Sequence, residues 1–391
     1  MTAFNSFIRV VKRECLRILT SKVLIFTTII GPILALLLVQ WLFSAGVVRD
    51  LPLVVVDADQ TPLSRRIIRM ADATPIANVD YKVPDMKQAQ AIMNKGKADA
   101  ILVIPEHTER NIFKGTNANV ALYINNTNLV KGGALKSGLY QSLATVSYGI
   151  KFQSYLRKGQ TDYTAMQSVQ PVRMSSHLLF NPFGNYSYFL ALGLLPVMLT
   201  VFIFLGSVYA LGMELKTGTA KQLLETANQR TGAAIGGKMF PYFVLFVVQA
   251  MVMNIILFKY QGTPLKGSIA IIVISEMLLI LAYQMLSVLF LYLTTNLRLS
   301  LSLGSAFSMM ALTFSGLTFP SMAMPTIAKI FSWVFPYTPW LNVFMGQSLR
   351  GTPMLESIFP LLLLLLFFLL GVLTFPGMKL RLSDPAYWGK E

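Results

Sequence analysis

The chain has 391 residues, of which 54% are hydrophobic and only 13% charged, against about 25% charged in a soluble globular protein. Its formal net charge is +16, and its one cysteine, Cys15, excludes an intramolecular disulfide. So little charge beside long apolar runs excludes an ordinary soluble enzyme and points to a membrane protein.

At the N-terminus, Phe4, Phe7, Ile8, Val11, Cys15 and Ile18 recur at helical spacing, while Arg9, Arg13 and Arg17 follow an i, i+4 line on another face. This predicts an amphipathic basic helix over residues 1–22 that lies on the inner leaflet, as a surface anchor or as a dock for a partner. Six segments reach the roughly 20 residues a membrane span requires. They are 23–45, 186–212, 239–258, 268–294, 301–319 and 358–375. The first is a retained anchor, since the apolar core of a cleaved signal peptide runs only about 7–15 residues. With the N-terminus inside, the inner segments hold thirteen Lys and Arg, and the short outer loops hold four: Lys259, Lys266, Lys329 and Arg350. That bias predicts N-in, C-in topology with 377–391 as a cytoplasmic tail. It also accounts for the basic excess without nucleic acid.

Between the first two spans, residues 46–185 have ordinary polarity and the length of one domain. "LPLVVVD", "IANVDYKV", "ADAILVIP" and "ANVALYIN" read as strands. They alternate with helices: "TPLSRRIIRMAD", capped by Thr61 with Pro62 at its first position, "DMKQAQAIMNKG", ended by Gly96, and "EHTERNIFKG". A long helix over 129–158 follows. The order predicts an α/β domain on the outer side of the membrane, a small sheet covered by helices.

After the second span, "GAAIGGKM" reads G-x-x-x-x-G-K, the opening of a nucleotide-binding P-loop. Met239 stands where the motif needs Ser or Thr to hold Mg²⁺, and no strand precedes Gly232. Gly232, Gly236 and Gly237 are instead expected to form a flexible turn into the bilayer, with Lys238 where span three enters it. His107 and His177 are far apart, no Cys/His cluster has metal-ligand spacing, and neither G-x-S-x-G nor H-E-x-x-H occurs. No catalytic residue and no metal ligand is assigned. Inside the spans, Glu276, Gln249 at similar depth and Tyr283, seven residues on from Glu276, form a polar patch. It lines a substrate path, or it holds the bundle by interhelical hydrogen bonds. Met251, Met253, Met285, Met309 and Met310 read as packing rather than as a cofactor box.

The segment "ELKTGTAKQLLETANQRTGAAIGGKMFPY" carries E-x-x-x-G-T-x-x-x-L-L-x-T…R…G-K…P-Y. Its matching positions are Glu214, Gly218, Thr219, Leu223, Leu224, Thr226, Arg230, Gly237, Lys238, Pro241 and Tyr242. A second patch, "LTFSGLTFPSMAMPTIAKIFSWVFPYTPW", contributes Gly316, Phe319, Pro320, Met324, Pro325 and Pro336. "VVDADQTPLS" and "GKADAILVIPEH" add a third, in residues 46–185. In this order they resemble permeases of ATP-binding-cassette exporters of the type-2 branch, in the subgroup with a large extracytoplasmic domain after the first transmembrane helix. The pattern departs at Ala227 and Asn228, where relatives often carry Thr-Pro.

The resemblance implies an α-helical membrane protein with six transmembrane helices plus an extracytoplasmic α/β domain, in a bacterial inner membrane. It implies an ATPase-coupling loop over 213–238, with Glu214, Gly218, Thr219, Leu223, Leu224 and Arg230 as its residues. Leu223 and Leu224 would anchor in a pocket of the ATPase, inside a rim of charges, or would only rest on the bilayer surface. It further implies an outer re-entrant segment over 320–350 that includes Pro320, Pro325 and Pro336. This chain would bind no cofactor; ATP and Mg²⁺ would sit in a separate ATPase subunit. Six spans make half a transporter, so a second permease, identical or a paralogue, is implied, with membrane lipid around both. The outer domain would gate the exit or dock a periplasmic adaptor. The rival reading is a membrane-anchored receptor acting through its extracytoplasmic domain. An ion-driven transporter would carry more intramembrane charge than Glu276, or an internal helix repeat.

Overall fold

Thr2 opens the first helix: its Oγ1 accepts the Asn5 amide, and α1 runs over Ala3–Thr20. The structure, a computed structural model, describes residues 2–170, 177, 179–181 and 184–389. Ser6, Val10, Glu14 and Ile18 of α1 are buried, a single line at i, i+4 spacing. Of the expected apolar stripe only Ile18 lies on that line; Phe4 is 69% exposed and Cys15 is exposed. The protein-facing stripe is thus narrower and more polar than the spacing predicts. Ser21 caps the next helix, α2 (Lys22–Leu42), through the Leu24 amide. Its π-helical turn Phe26–Ile30 leaves the Thr28 carbonyl to accept the side-chain amide of Gln249 at 2.6 Å.

Residues Val47–His177 form one unit; Met1–Gly46 with Leu178–Glu391 form the other. The four-stranded unit runs β1 (Leu51–Asp57), α3 (Pro62–Asp72), β2 (Ala77–Val83), α4 (Met86–Asn94), β3 (Ala100–Ile104), α5 (Thr108–Phe113), β4 (Ala121–Ile124), α6 (Leu129–Arg157) and α7 (Asp162–Val169). Strand order is β2-β1-β3-β4, with β1 parallel to both neighbours and β4 antiparallel to β3. The expected strands and helices fall where the caps put them. Thr61 and Ser64 form a reciprocal capping box ahead of α3, Asp85 caps α4, and Gly96 takes φ +70 just after it. Side chains alternate across β1. Leu51, Leu53 and Val55 pack with Ile67 of α3 and Leu135 and Leu139 of α6, while Val54 and Val56 pack with Ala89 of α4. The helix α7 had no counterpart in the pattern.

The remaining elements belong to the other unit: α8 (Ser187–Lys216), α9 (Ala220–Thr226), α10 (Thr231–Tyr260), α11 (Ile269–Thr294), α12 (Leu297–Phe314), α13 (Thr326–Ser332), α14 (Tyr337–Met345), α15 (Met354–Val372) and α16 (Phe375–Ser383). Among the described residues, six helical runs are long and apolar enough to cross a membrane: α2, α8, α10, α11, α12 and Met354–Ser383, which joins α15 to α16. The chain is therefore a multi-pass membrane protein. Its largest core is mainly aliphatic and carries an aromatic cluster, with Phe204 against Phe290 at 5.1 Å and Phe307 against Phe335 at 4.9 Å. The amide of Tyr186, just before α8, donates to the Gly46 carbonyl, just after α2, at 2.7 Å.

Several boundaries differ from the expected ones. The fifth span starts earlier because Asn296 accepts the Leu299 amide as its cap, and it ends before Gly316, which takes φ +87. The third starts at Thr231, so Gly232, Gly236 and Gly237 are helical rather than a flexible turn. A Cβ on Gly237 would stand 2.9 Å from Val10 Cβ, so this glycine serves the close approach of α1. Residues 377–391 are not simply a tail, since α16 and the 3-10 turn Pro385–Tyr387 continue the fold. Pro320, Pro325 and Pro336 each stand immediately before a short helical piece, Ser321–Ala323, α13 and α14 respectively.

Candidate functional site

The end of α8, the start of α10 and the middle of α1 meet in a buried ion-pair junction. Glu214, in the last turn of α8, takes four donors. Its Oε2 accepts Arg13 Nη2 at 2.9 Å and Thr219 Oγ1 at 2.5 Å; its Oε1 accepts Lys238 Nζ at 2.9 Å and Arg17 Nη1. Glu14 accepts Lys238 Nζ at 2.5 Å and the Tyr242 hydroxyl at 2.6 Å. The side chains of Glu14, Glu214 and Lys238 are fully buried, while Arg13 and Arg17 are about a quarter exposed.

Two carboxylates thus meet three cations. Desolvating charge is costly, and a buried pair is tolerated when its remaining lone pairs are filled. Here the hydroxyls of Thr219 and Tyr242 help to fill them. The junction binds α1, α8, the turn before α9, and α10 into one rigid corner.

The suspected P-loop lysine, Lys238, lies in mid-helix and is spent on two carboxylates. No strand precedes it and its amides are committed to the helix, so it cradles no phosphate. Among the described residues, no group of three or more His, Cys, Asp or Glu could hold a metal.

The expected coupling residues divide into two sets. Gly218 takes φ +70 in the turn after α8, and Thr219 joins the junction. Arg230 is exposed at the start of α10. Leu223 and Leu224 are not presented at the surface of this chain. Both are buried in this chain's own core with Ala227, Met378 and Leu382, because α9 lies flat on α16 with its apolar side inward. The exposed side of α9 is Lys221, Gln222 and Glu225. Beyond it Asn228 (φ 54) and Gln229 (φ 58) are both left-handed and turn the chain sharply into α10.

Gln249, Glu276 and Tyr283 are all buried, but hydrogen bonding does not gather them into one patch. Gln249 donates to Thr28 O, and Asn254 Nδ2 donates to Glu276 Oε2 at 2.8 Å. The expected tie between Glu276 and Gln249 is replaced by the one to Asn254. Tyr283 packs its ring near Phe204, at 6.4 Å. Glu276 Oε1 and Asn254 Oδ1 have no hydrogen-bond partner.

Sequence reasoning missed Glu14, Asn254 and the pairing role of Lys238. A signal for Glu14 existed: it is the one acid in a basic helix, in line with Val10 and Ile18 at four-residue spacing.

A model of the family described as ABC-2 family transporter protein matches residues 22–375. The chain is also similar to the probable multidrug ABC transporter permease YbhS of Escherichia coli (strain K12), at 23% identity over 287 residues, covering 70% of each chain. The protein of the same name in Escherichia coli O157:H7 matches equally well.

Proposed function

Because the chain belongs to the ABC-2 family of transporter proteins, we propose that it is the permease subunit of an exporter driven by ATP hydrolysed on a separate subunit. The observation that carries this reading is the junction of Glu14, Glu214 and Lys238 beneath α9, whose exposed side offers Lys221, Gln222 and Glu225. A short helix with a charged outer side, locked from below into two membrane helices, suits the passage of force from a partner into the bundle. The Lys and Arg bias supports a topology in which this corner, α1 and α16 would be cytoplasmic and the four-stranded unit would be an extracytoplasmic domain. That unit would gate the exit or dock a periplasmic adaptor. A second permease, identical or a paralogue, would complete the pathway in a bacterial inner membrane. Residues 320–350 would form the outer re-entrant segment, and Glu276 with Asn254, Gln249 and Tyr283 would line the route. The multidrug description of the Escherichia coli relative makes small amphiphilic molecules the first cargo to test.

Co-purification from the native host with the associated ATPase tests this. In proteoliposomes, the complex is expected to move a fluorescent amphiphile only with ATP, and Lys221→Glu with Glu225→Lys is expected to release the ATPase while the permease stays folded. A double variant that retains the ATPase and transports normally would remove α9 from the coupling role.

A further inference from the structure

We propose that residues 375–389 brace α9 as a second support beside the ion-pair junction, with Arg381 and Trp388 as positioning residues. The brace stands on contacts within this chain; its bearing on transport rests on the coupling role proposed for α9.

α9 has seven residues, too few to hold a helix by itself, so its place is fixed by what packs on it. One support is the junction, through Thr219 and Glu214. The other is the C-terminus. Met378 and Leu382 of α16 are fully buried in the cluster that contains Leu223 and Leu224. The Gly389 amide donates to the carbonyl of Leu215, one residue from Glu214, at 3.1 Å. Trp388 sits over the turn between α8 and α9, where a Cβ on Gly218 would stand 3.7 Å from its ring.

The brace is itself anchored to the bundle. Trp388 Nε1 donates to the Arg381 carbonyl at 3.3 Å. The Arg381 guanidinium lies 4.1 Å from the ring centre of Tyr292, on α11, and 5.5 Å from that of Tyr387. Gly377 admits Tyr292, since a Cβ there would come within 2.5 Å of its ring. α1 and α16 therefore converge on one short helix. The N-terminal helix reaches it through Val10 and, by way of Glu214, through Thr219; the C-terminal segment reaches it through Met378, Leu382 and Trp388.

Amide hydrogen exchange over residues 219–226, in the full chain in lipid nanodiscs, tests the brace. Ending the chain at Asp384 is expected to speed exchange there by about tenfold, the effect of losing a hydrogen bond and an aromatic contact. Trp388→Ala, which leaves the chain length intact, should do the same, and Trp388→Phe should restore slow exchange. Unchanged exchange in the shortened chain and in Trp388→Ala overturns the proposal. So does equal acceleration in α11 and in the four-stranded unit, which would make the segment a general stabiliser. A second arm uses the complex with its ATPase, where Trp388→Ala should lower cargo-stimulated turnover and leave KM for ATP unchanged. Faster exchange with intact stimulation would support the brace and count against α9 as the coupling element.

Discussion

Lys238 Nζ stands 2.5 Å from Glu14 Oε2, joining residues 224 positions apart with both side chains fully buried. The N-terminal helix is therefore built into the transmembrane unit and does not float on its surface. Lys238 reaches Glu214 as well, so one ammonium holds two carboxylates that come from different helices.

Lys238→Met should be strongly destabilising, because it strands Glu14 and Glu214 without their shared cation. Removing one partner of a buried pair costs about 3–5 kcal/mol. Adding Glu14→Gln should cost less than the two single changes summed, since the residues form one network. Thermal unfolding of the detergent-solubilised chain reads both, and strict additivity would argue that the residues act separately.

Leu223→Ala should lower the melting temperature of the chain purified alone. Leu223 is buried against Met378 and Leu382 in this chain's own core, and such truncations cost about 2–5 kcal/mol. A melting temperature equal to wild type would mean that the leucine serves a partner after all.

Glu276→Gln keeps an acceptor for Asn254 and should change stability by no more than about 1 kcal/mol. If the carboxyl lines the cargo route, ATP-driven transport of an identified cargo should fall severalfold while melting is preserved. Undiminished transport would leave Glu276 with a packing role only.

Gly237→Val should push α1 off the start of α10, because even a Cβ would stand 2.9 Å from Val10 Cβ and 3.0 Å from the Phe7 carbonyl. Overpacking of this kind costs about 1–3 kcal/mol. Limited proteolysis near Ser21 gives the readout: faster cleavage in the variant is expected, and an unchanged pattern would show that the helices have slack here.

The purified chain should not hydrolyse ATP, since Lys238 is committed to Glu14 and Glu214. Robust hydrolysis by the isolated chain that Lys238→Ala abolishes would overturn the permease reading.

What could be read from the residues was local. Thr61 with Pro62 and the glycine at 96 marked helix ends in the sheet unit, and unbroken apolar runs marked the six membrane-capable helices. The ion-pair junction was not legible, because its members come together only through helix packing at large separations. Arg13 and Arg17 read locally as the basic face of a helix on the inner leaflet, whereas in the fold both pair with Glu214. Leu223 and Leu224 presented the same limit: two leucines in a polar segment require a cover, and nothing local says whether the cover is a partner or the chain's own C-terminus. At Gly232, Gly236 and Gly237, composition suggested a turn, but close approach of α1 used the glycine at 237 inside a helix.

The hydrogen bond from Tyr186 to Gly46 closes the base of a detour in the polypeptide. The whole sheet-containing stretch is inserted between two chain points a single hydrogen bond apart. Closure entropy grows only slowly with the length of such a loop. A brief glycine-serine link would bridge the same gap, and a larger insert would bridge it nearly as well. On this connectivity, deleting, exchanging or enlarging the stretch would require no rethreading of the helices, and the membrane machinery and its inserted module would be free to diverge at different rates.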